Sequence, residues 1–121
     1  EVMKPGSSII GISSIASLRA AVRFAGYGAA KAGMNNLSQT LAIELAPKGI
    51  RSNIVSPGQV PTEATTRVGG VPPEKFSDLA AAIPLQRVGS PQDIAAAVLY
   101  LVSEAGSWVT GQNLIVDGGY T

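Results

Sequence analysis

The chain has 121 residues and a formal net charge of +1, with 45% hydrophobic and only 14% charged residues. That is enough for one modest core, but short for an α/β enzyme that binds a dinucleotide, and the apolar surplus suits a body covered by neighbours. With no cysteine and no histidine, disulfides, thiolate metal sites and histidine-based triads are excluded, and the scattered basic residues give no reason to expect nucleic acid or an anionic membrane as partner.

Residues 1–6 read as a connector closed by the turn signal Lys4-Pro5-Gly6. No charged-then-apolar leader opens the chain, so the cytoplasm is the expected compartment. Ser7 to Ser14 is short, rich in isoleucine and not alternating, which predicts a parallel strand covered on both faces. Ile15 to Phe24 reads as a loop. From about Gly26 to Ala46 the pattern is helical: Gly33, Leu37, Leu41 and Leu45 recur every four residues as an apolar stripe. Ala29, Ala30, Ala32, Ala42 and Ala46 add a small-residue surface that another helix could approach. Pro47-Lys48-Gly49 stops the helix, and Ile50 to Val55 reads as a second buried strand. Strand, helix, strand is a βαβ unit with an expected right-handed crossover.

Ser56-Pro57-Gly58 ends that strand. Gln59 to Pro73, with Pro61, Gly69-Gly70 and Pro72-Pro73, reads as a long loop of the kind that forms lids. Glu74 to Ala82 predicts a short helix across the site. Ser90-Pro91-Gln92-Asp93 starts the next helix, with serine as N-cap and an acidic residue near the positive end, and it runs to about Ser103. The longest apolar run, Ile94 to Val102, is too short to cross a bilayer. Gln112 to Val116 is a last strand before the chain-reversing turn Asp117-Gly118-Gly119. Asn53 reads as an amide pinning nearby backbone, and Trp108 as a packing or interface anchor. The fold class is α/β.

The chemistry sits in Tyr27 and Lys31. Four residues apart on a helix, they share one face, and an ammonium held beside a phenol favours the phenolate and brings its proton transfer toward neutral pH. A helix-surface aromatic beside a solvated lysine is the plainer alternative. The pair Ser13-Ser14 lies a short way before Tyr27, and a serine hydroxyl from that strand end could hold a substrate oxygen. As strand neighbours the two face opposite ways, and both hydroxyls could merely satisfy backbone. Pro57-Gly58, Val60 and Thr62 leave the C-terminal end of a parallel strand, where α/β folds bind ligands; the glycine would let backbone approach a flat ring. Gly26, Gly28 and Gly33 match neither a dinucleotide loop nor a P-loop, since lysine stands at 31 and Met34-Asn35 follows.

Taken in order, Ser14, Tyr27, Lys31, Asn53 to Gly58, Thr62, Gly111-Gln112 and Asp117-Gly118-Gly119 resemble the C-terminal half of a short-chain dehydrogenase/reductase, over nearly the whole chain. The resemblance implies the C-terminal half of a doubly wound, parallel-sheet Rossmann-like fold. Residues 1–121 would be its catalytic and substrate half, without the N-terminal nucleotide-binding half. It implies an NAD- or NADP-dependent alcohol dehydrogenase or carbonyl reductase, with a small alcohol or carbonyl substrate. Ser14, which stands thirteen residues before Tyr27 as the family's active serine does, would be catalytic with Tyr27 and Lys31, and Ser13 would be structural. Tyr27 and Lys31 would also contact the coenzyme, Lys31 through the nicotinamide ribose; Pro57, Gly58, the Val60 backbone and Thr62 would hold the carboxamide or pyrophosphate. It further implies a homo-oligomer, dimer or tetramer, paired through the long helix and through the last helix and strand. The 121 residues alone are expected to be inactive; the competing reading is a non-catalytic structural or oligomerisation module.

Overall fold

The computed structural model describes residues 3–67 and 71–121; Val68, Gly69 and Gly70 of the predicted loop lie outside the described residues. The elements are β1 (Ser8–Ile12), α1 (Ala25–Leu45), β2 (Arg51–Pro57), α2 (Glu63–Arg67), α3 (Phe76–Ala82), α4 (Pro91–Val102) and β3 (Asn113–Val116). The strands form one parallel sheet in the order β1-β2-β3. Ser8 pairs with Arg51 and Ile12 with Val55; Ile54 pairs with Asn113 and Pro57 with Val116. Thus the β1 and β2 exits lie side by side.

Strand β2 is the centre of the core: Ser52 to Ser56 are all buried. Three of those five residues are polar, and each is paired. Asn53 Nδ2 donates to the Val109 carbonyl (2.8 Å), while its Oδ1 accepts from the Gln112 amide (3.0 Å). The Ser52 and Ser38 hydroxyls pair at 2.9 Å, and Ser56 Oγ donates to Asn113 Oδ1 at 2.7 Å. The isolated amide predicted to pin backbone therefore fastens the 109–112 segment to β2. Buried Ile54, Val55, Ile83 and Leu101 supply the apolar part of the core.

Strand β1 is shorter than the predicted Ser7–Ser14 run and only half-buried, rather than covered on both faces. Helix α1 is close to its predicted span, and Gly49, at φ +68, ends the single 3-10 turn Ala46–Lys48 that follows it. Its packed face differs from the predicted stripe. Gly33 and Leu37 are exposed and Ile43 is 77% exposed, whereas Lys31, Met34, Asn35, Ser38, Leu41, Ala42 and Leu45 turn inward. The reason is that the sheet surface beneath α1 offers hydroxyls and carbonyls, so polar residues of α1 gain partners there that an apolar stripe would leave unmet.

The predicted loop from Gln59 to Pro73 contains α2. Thr62 caps it: the Thr65 amide donates to Thr62 Oγ1, and Thr65 Oγ1 accepts from the Thr62 amide. Helix α3 is anchored by its C-terminal flank, for the Leu85 amide donates to the Gly118 carbonyl (3.1 Å). Helix α4 begins as predicted, with a reciprocal capping box between Ser90 and Asp93. Its C-terminal end is held by Arg51, whose guanidinium donates to the Leu101 (2.6 Å) and Val109 (3.2 Å) carbonyls. Trp108 is 99% exposed, so it packs on nothing within this chain. Among the described residues no helix is long and apolar enough to cross a membrane.

Asn53→Ala in the whole protein orphans the Gln112 amide and leaves the Val109 carbonyl with the Arg51 guanidinium alone. At about 1–3 kcal/mol per orphaned buried group, the urea unfolding midpoint should fall clearly. A second expectation concerns acid. Hydrogen bonds from Arg87 and then from Ser90 hold the Asp93 carboxyl well below its usual range. A carboxyl depressed in the folded state stabilises above its unfolded pKa, about 3.9, and that contribution fades as pH falls below it. Thermal melts of Asp93→Asn between pH 6 and 2 should therefore show a flatter acid limb than the parent.

Candidate active site

The exit of β1 and the first half of α1 are joined by a set of short polar contacts. Lys31 Nζ donates to the Ile12 carbonyl at 2.8 Å. Ser13, buried, donates its hydroxyl to the Lys31 carbonyl at 3.2 Å. Asn35 Nδ2 donates to Ser17 Oγ at 2.8 Å, and Ser17 Oγ donates to the Ser14 carbonyl at 2.6 Å. Gly28 lets the helix approach: a Cβ there would stand 2.8 Å from the Ala16 carbonyl oxygen.

Tyr27 is 47% exposed, with Phe24 edge-on to its ring at a centroid distance of 5.7 Å. The Lys31 ammonium lies 5.6 Å from the Tyr27 ring centroid, so the predicted shared face is present. Of its three N–H donors, one goes to Ile12.

Ser14 follows β1 in an extended conformation and caps the single 3-10 turn Ile15–Ser17, its Oγ accepting from the Ala16 amide at 3.1 Å. A hydroxyl has two acceptor positions and one donor. Ala16 uses an acceptor position, so the Ser14 proton keeps no acceptor among the described residues. Ser13 spends its proton on backbone. The two serines thus divide as donor to structure and free donor.

Pro57 and Gly58 close β2 beside the β1 exit. A Cβ at Gly58 would lie 2.6 Å from Asp117 Cβ, so glycine is needed there to pass the β3 exit. Val60 is buried, and Thr62 is exposed and engaged in capping α2. Asp117-Gly118-Gly119 is the predicted turn. Burial alone would raise the Asp117 carboxyl, but hydrogen bonds from the Thr121 hydroxyl and the Gly119 and Thr121 amides outweigh it and hold the group below its usual range. Among the described residues no three acidic groups are placed to hold a metal ion.

A separate cleft of about 280 Å³ lies between Gln59, Arg87, Asp93 and Asp117, away from Tyr27 and Ser14. Arg87 and Asp93 form a two-point ion pair there at 2.7 and 2.9 Å, and Asp117 accepts from Gly119 and Thr121. The residues singled out in the sequence, Ser14, Tyr27 and Lys31, lie at the β1–α1 junction instead. Asn35 and Ser17, which join this junction, were not singled out in the sequence. The signal was there as spacing: Tyr27, Lys31 and Asn35 recur every four residues along one helix face.

A family model described as enoyl-(acyl carrier protein) reductase matches residues 1–121. The 7alpha-hydroxysteroid dehydrogenase of Paraclostridium sordellii is 41% identical over 116 residues, covering 95% of this chain and 43% of that protein. A crystal structure of a short-chain dehydrogenase/reductase described as glucose/ribitol dehydrogenase, from Brucella melitensis, superposes with a TM-score of 0.90 at 38% identity, over 98% of this chain and 47% of that one. The Pseudomonas aeruginosa RhlG/NADP active-site complex superposes with a TM-score of 0.82 at 33% identity, over 93% of this chain and 46% of that one. The chain therefore spans less than half the length of the curated relatives it matches.

The Gly28 approach is open to test in the whole protein. Gly28→Ala drives a methyl into the Ala16 carbonyl and should cost about 1–3 kcal/mol, seen as a lower melting temperature. Gly26→Ala, where a Cβ meets nothing within 4 Å, should leave stability unchanged or slightly raised.

Proposed function

The chain belongs to the short-chain dehydrogenase/reductase family, and from that premise we propose that it is the catalytic half of an oxidoreductase that interconverts an alcohol and a carbonyl with NAD or NADP. The observation that carries this reading is the Lys31 ammonium 5.6 Å from the ring of a half-exposed Tyr27; at the end of β1, Ser14 keeps its hydroxyl proton uncommitted among the described residues.

In the reducing direction Tyr27 gives its phenolic proton to the carbonyl oxygen as that oxygen becomes an alcohol. In the oxidising direction it takes the proton back. Lys31 places positive charge near the ring, and its bond to Ile12 holds the ammonium in place during the transfer. Ser14 donates its free proton to the same substrate oxygen, fixing the carbonyl and stabilising the negative charge that builds there.

The residues present fit one end of a nicotinamide coenzyme. Lys31 keeps N–H donors beyond the one spent on Ile12, suited to ribose hydroxyls. Pro57, Gly58 and Val60 leave β2 at the neighbouring exit, and Thr62 offers a hydroxyl farther along the same segment. The coenzyme, when bound, supplies or accepts the hydride at the substrate carbon. The NADP complex of RhlG supports a nicotinamide coenzyme here. The remainder of the coenzyme would be held by residues outside these 121, so the isolated chain should be inactive. The exposed Leu37 and Ile43 of α1 and the exposed Trp108 support assembly into a homo-oligomer, and the protein would act in the cytoplasm.

The test uses the whole protein with NADH and NADPH and a panel of keto steroids, cyclic and aliphatic ketones and ketoacyl thioesters. Tyr27→Phe should lower kcat by about 10²–10⁴-fold, the range of general acid–base catalysis, with coenzyme Kd little changed. Undiminished turnover in that variant overturns the reading.

A further inference from the structure

Asn35 faces inward from α1, and its side-chain Oδ1 is buried without a partner among the described residues. A buried amide that leaves one end unpaired is destabilising relative to an apolar residue of similar size. Packing alone would be better served by leucine or methionine, so the other end should account for the amide. That end, Nδ2, donates to Ser17 Oγ at 2.8 Å. A hydroxyl that accepts from an N–H is free to send its own proton onward, and Ser17 sends it to the Ser14 carbonyl at 2.6 Å. The Ser17 amide donates to the same carbonyl at 3.0 Å, and the Ala16 amide to Ser14 Oγ at 3.1 Å. Ser14 is thus held at both its carbonyl and its hydroxyl, with only the hydroxyl proton left over. Turning the amide round would make Asn35 an acceptor for the Ser17 proton and withdraw it from Ser14.

We propose that Asn35 is a positioning residue for Ser14, acting through Ser17 to fix the direction of this hydrogen-bond chain and so leave the Ser14 proton for the substrate oxygen. This rests on the role given to Ser14 above. Asn35 does not itself reach the substrate.

The experiment combines two measurements on the whole protein. Amide hydrogen exchange of the Ala16–Ser17 stretch is followed in Asn35→Ala and in Asn35→Asp, whose carboxylate accepts from Ser17 instead of donating to it. The same variants are assayed for kcat, with the ketone of the panel that is turned over fastest, in the parent and in Ser14→Ala. Exchange at the two amides should quicken by about tenfold, and kcat should fall by about tenfold in the parent with coenzyme Kd unchanged. In the Ser14→Ala background neither variant should lower kcat further, because the group it positions is gone. Ser17→Ala interrupts the chain without disturbing the helix and should repeat the pattern even if Asn35→Ala folds poorly. Equal losses in both backgrounds, or unchanged exchange, overturn the positioning role alone. Full turnover in Ser14→Ala overturns it together with the role of Ser14.

Discussion

Helix α1 is joined to the sheet by polar side chains, and the rest of the site depends on that seam. The helix starts without a side-chain cap, at Phe24, and carries Gly26, Gly28 and Gly33. Each interior glycine weighs against a helix by about 1 kcal/mol relative to alanine, and the missing cap by about as much again. Opposing this are Lys31 to Ile12, Ser13 to Lys31, Asn35 to Ser17 and Ser38 with Ser52. Neutral bonds of this kind contribute about 0.5–1.5 kcal/mol and one from a charged donor about 1.5–3. The two sums are comparable, so α1 keeps its place because its inward face finds partners, and not through local propensity.

Under the proposed function, one set of residues serves both architecture and chemistry. Lys31 ties the helix to the β1 exit through its side chain and receives Ser13 on its carbonyl, while its ammonium stands near the Tyr27 ring. Gly28 is small where the helix crosses the turn that Ser14 caps. Under the proposed function, this junction would present the Tyr27 phenol, the Lys31 cation and the Ser14 hydroxyl to one substrate oxygen. The opposite side of α1, with Leu37 and Ile43 exposed, is left free for contact with other surfaces.

The central strand follows the same logic. Ser52, Asn53 and Ser56 would be costly in a buried strand if left alone. Each instead spends its polar atoms on the segment that leads into β3 or on α1. In this way β2 carries the position of α1 on one side and of the Asp117 turn on the other. The exits of β1 and β2, where ligands of parallel sheets bind, are set by the same strand.

Much was legible from the amino-acid order alone. Turn residues and caps act locally, so Gly49, the Ser90–Asp93 box and the Asp117-Gly118-Gly119 turn could be read from a few neighbouring residues. The strand-helix-strand order, the Tyr27–Lys31 face and the family likeness were readable for the same reason: four-residue spacing and ordered motifs need no knowledge of distant partners. The inward face of α1 was not. Period-four leucines suggested one stripe, while the surface beneath called for another, and only the fold brings Ser17 to Asn35 and Ser52 to Ser38. The reason for Gly58 was hidden likewise, because Asp117 lies far off in the chain and meets it only once β2 and β3 pair. Local chemistry decides where elements begin and end; which of their faces matters is decided by what distant residues offer across the gap.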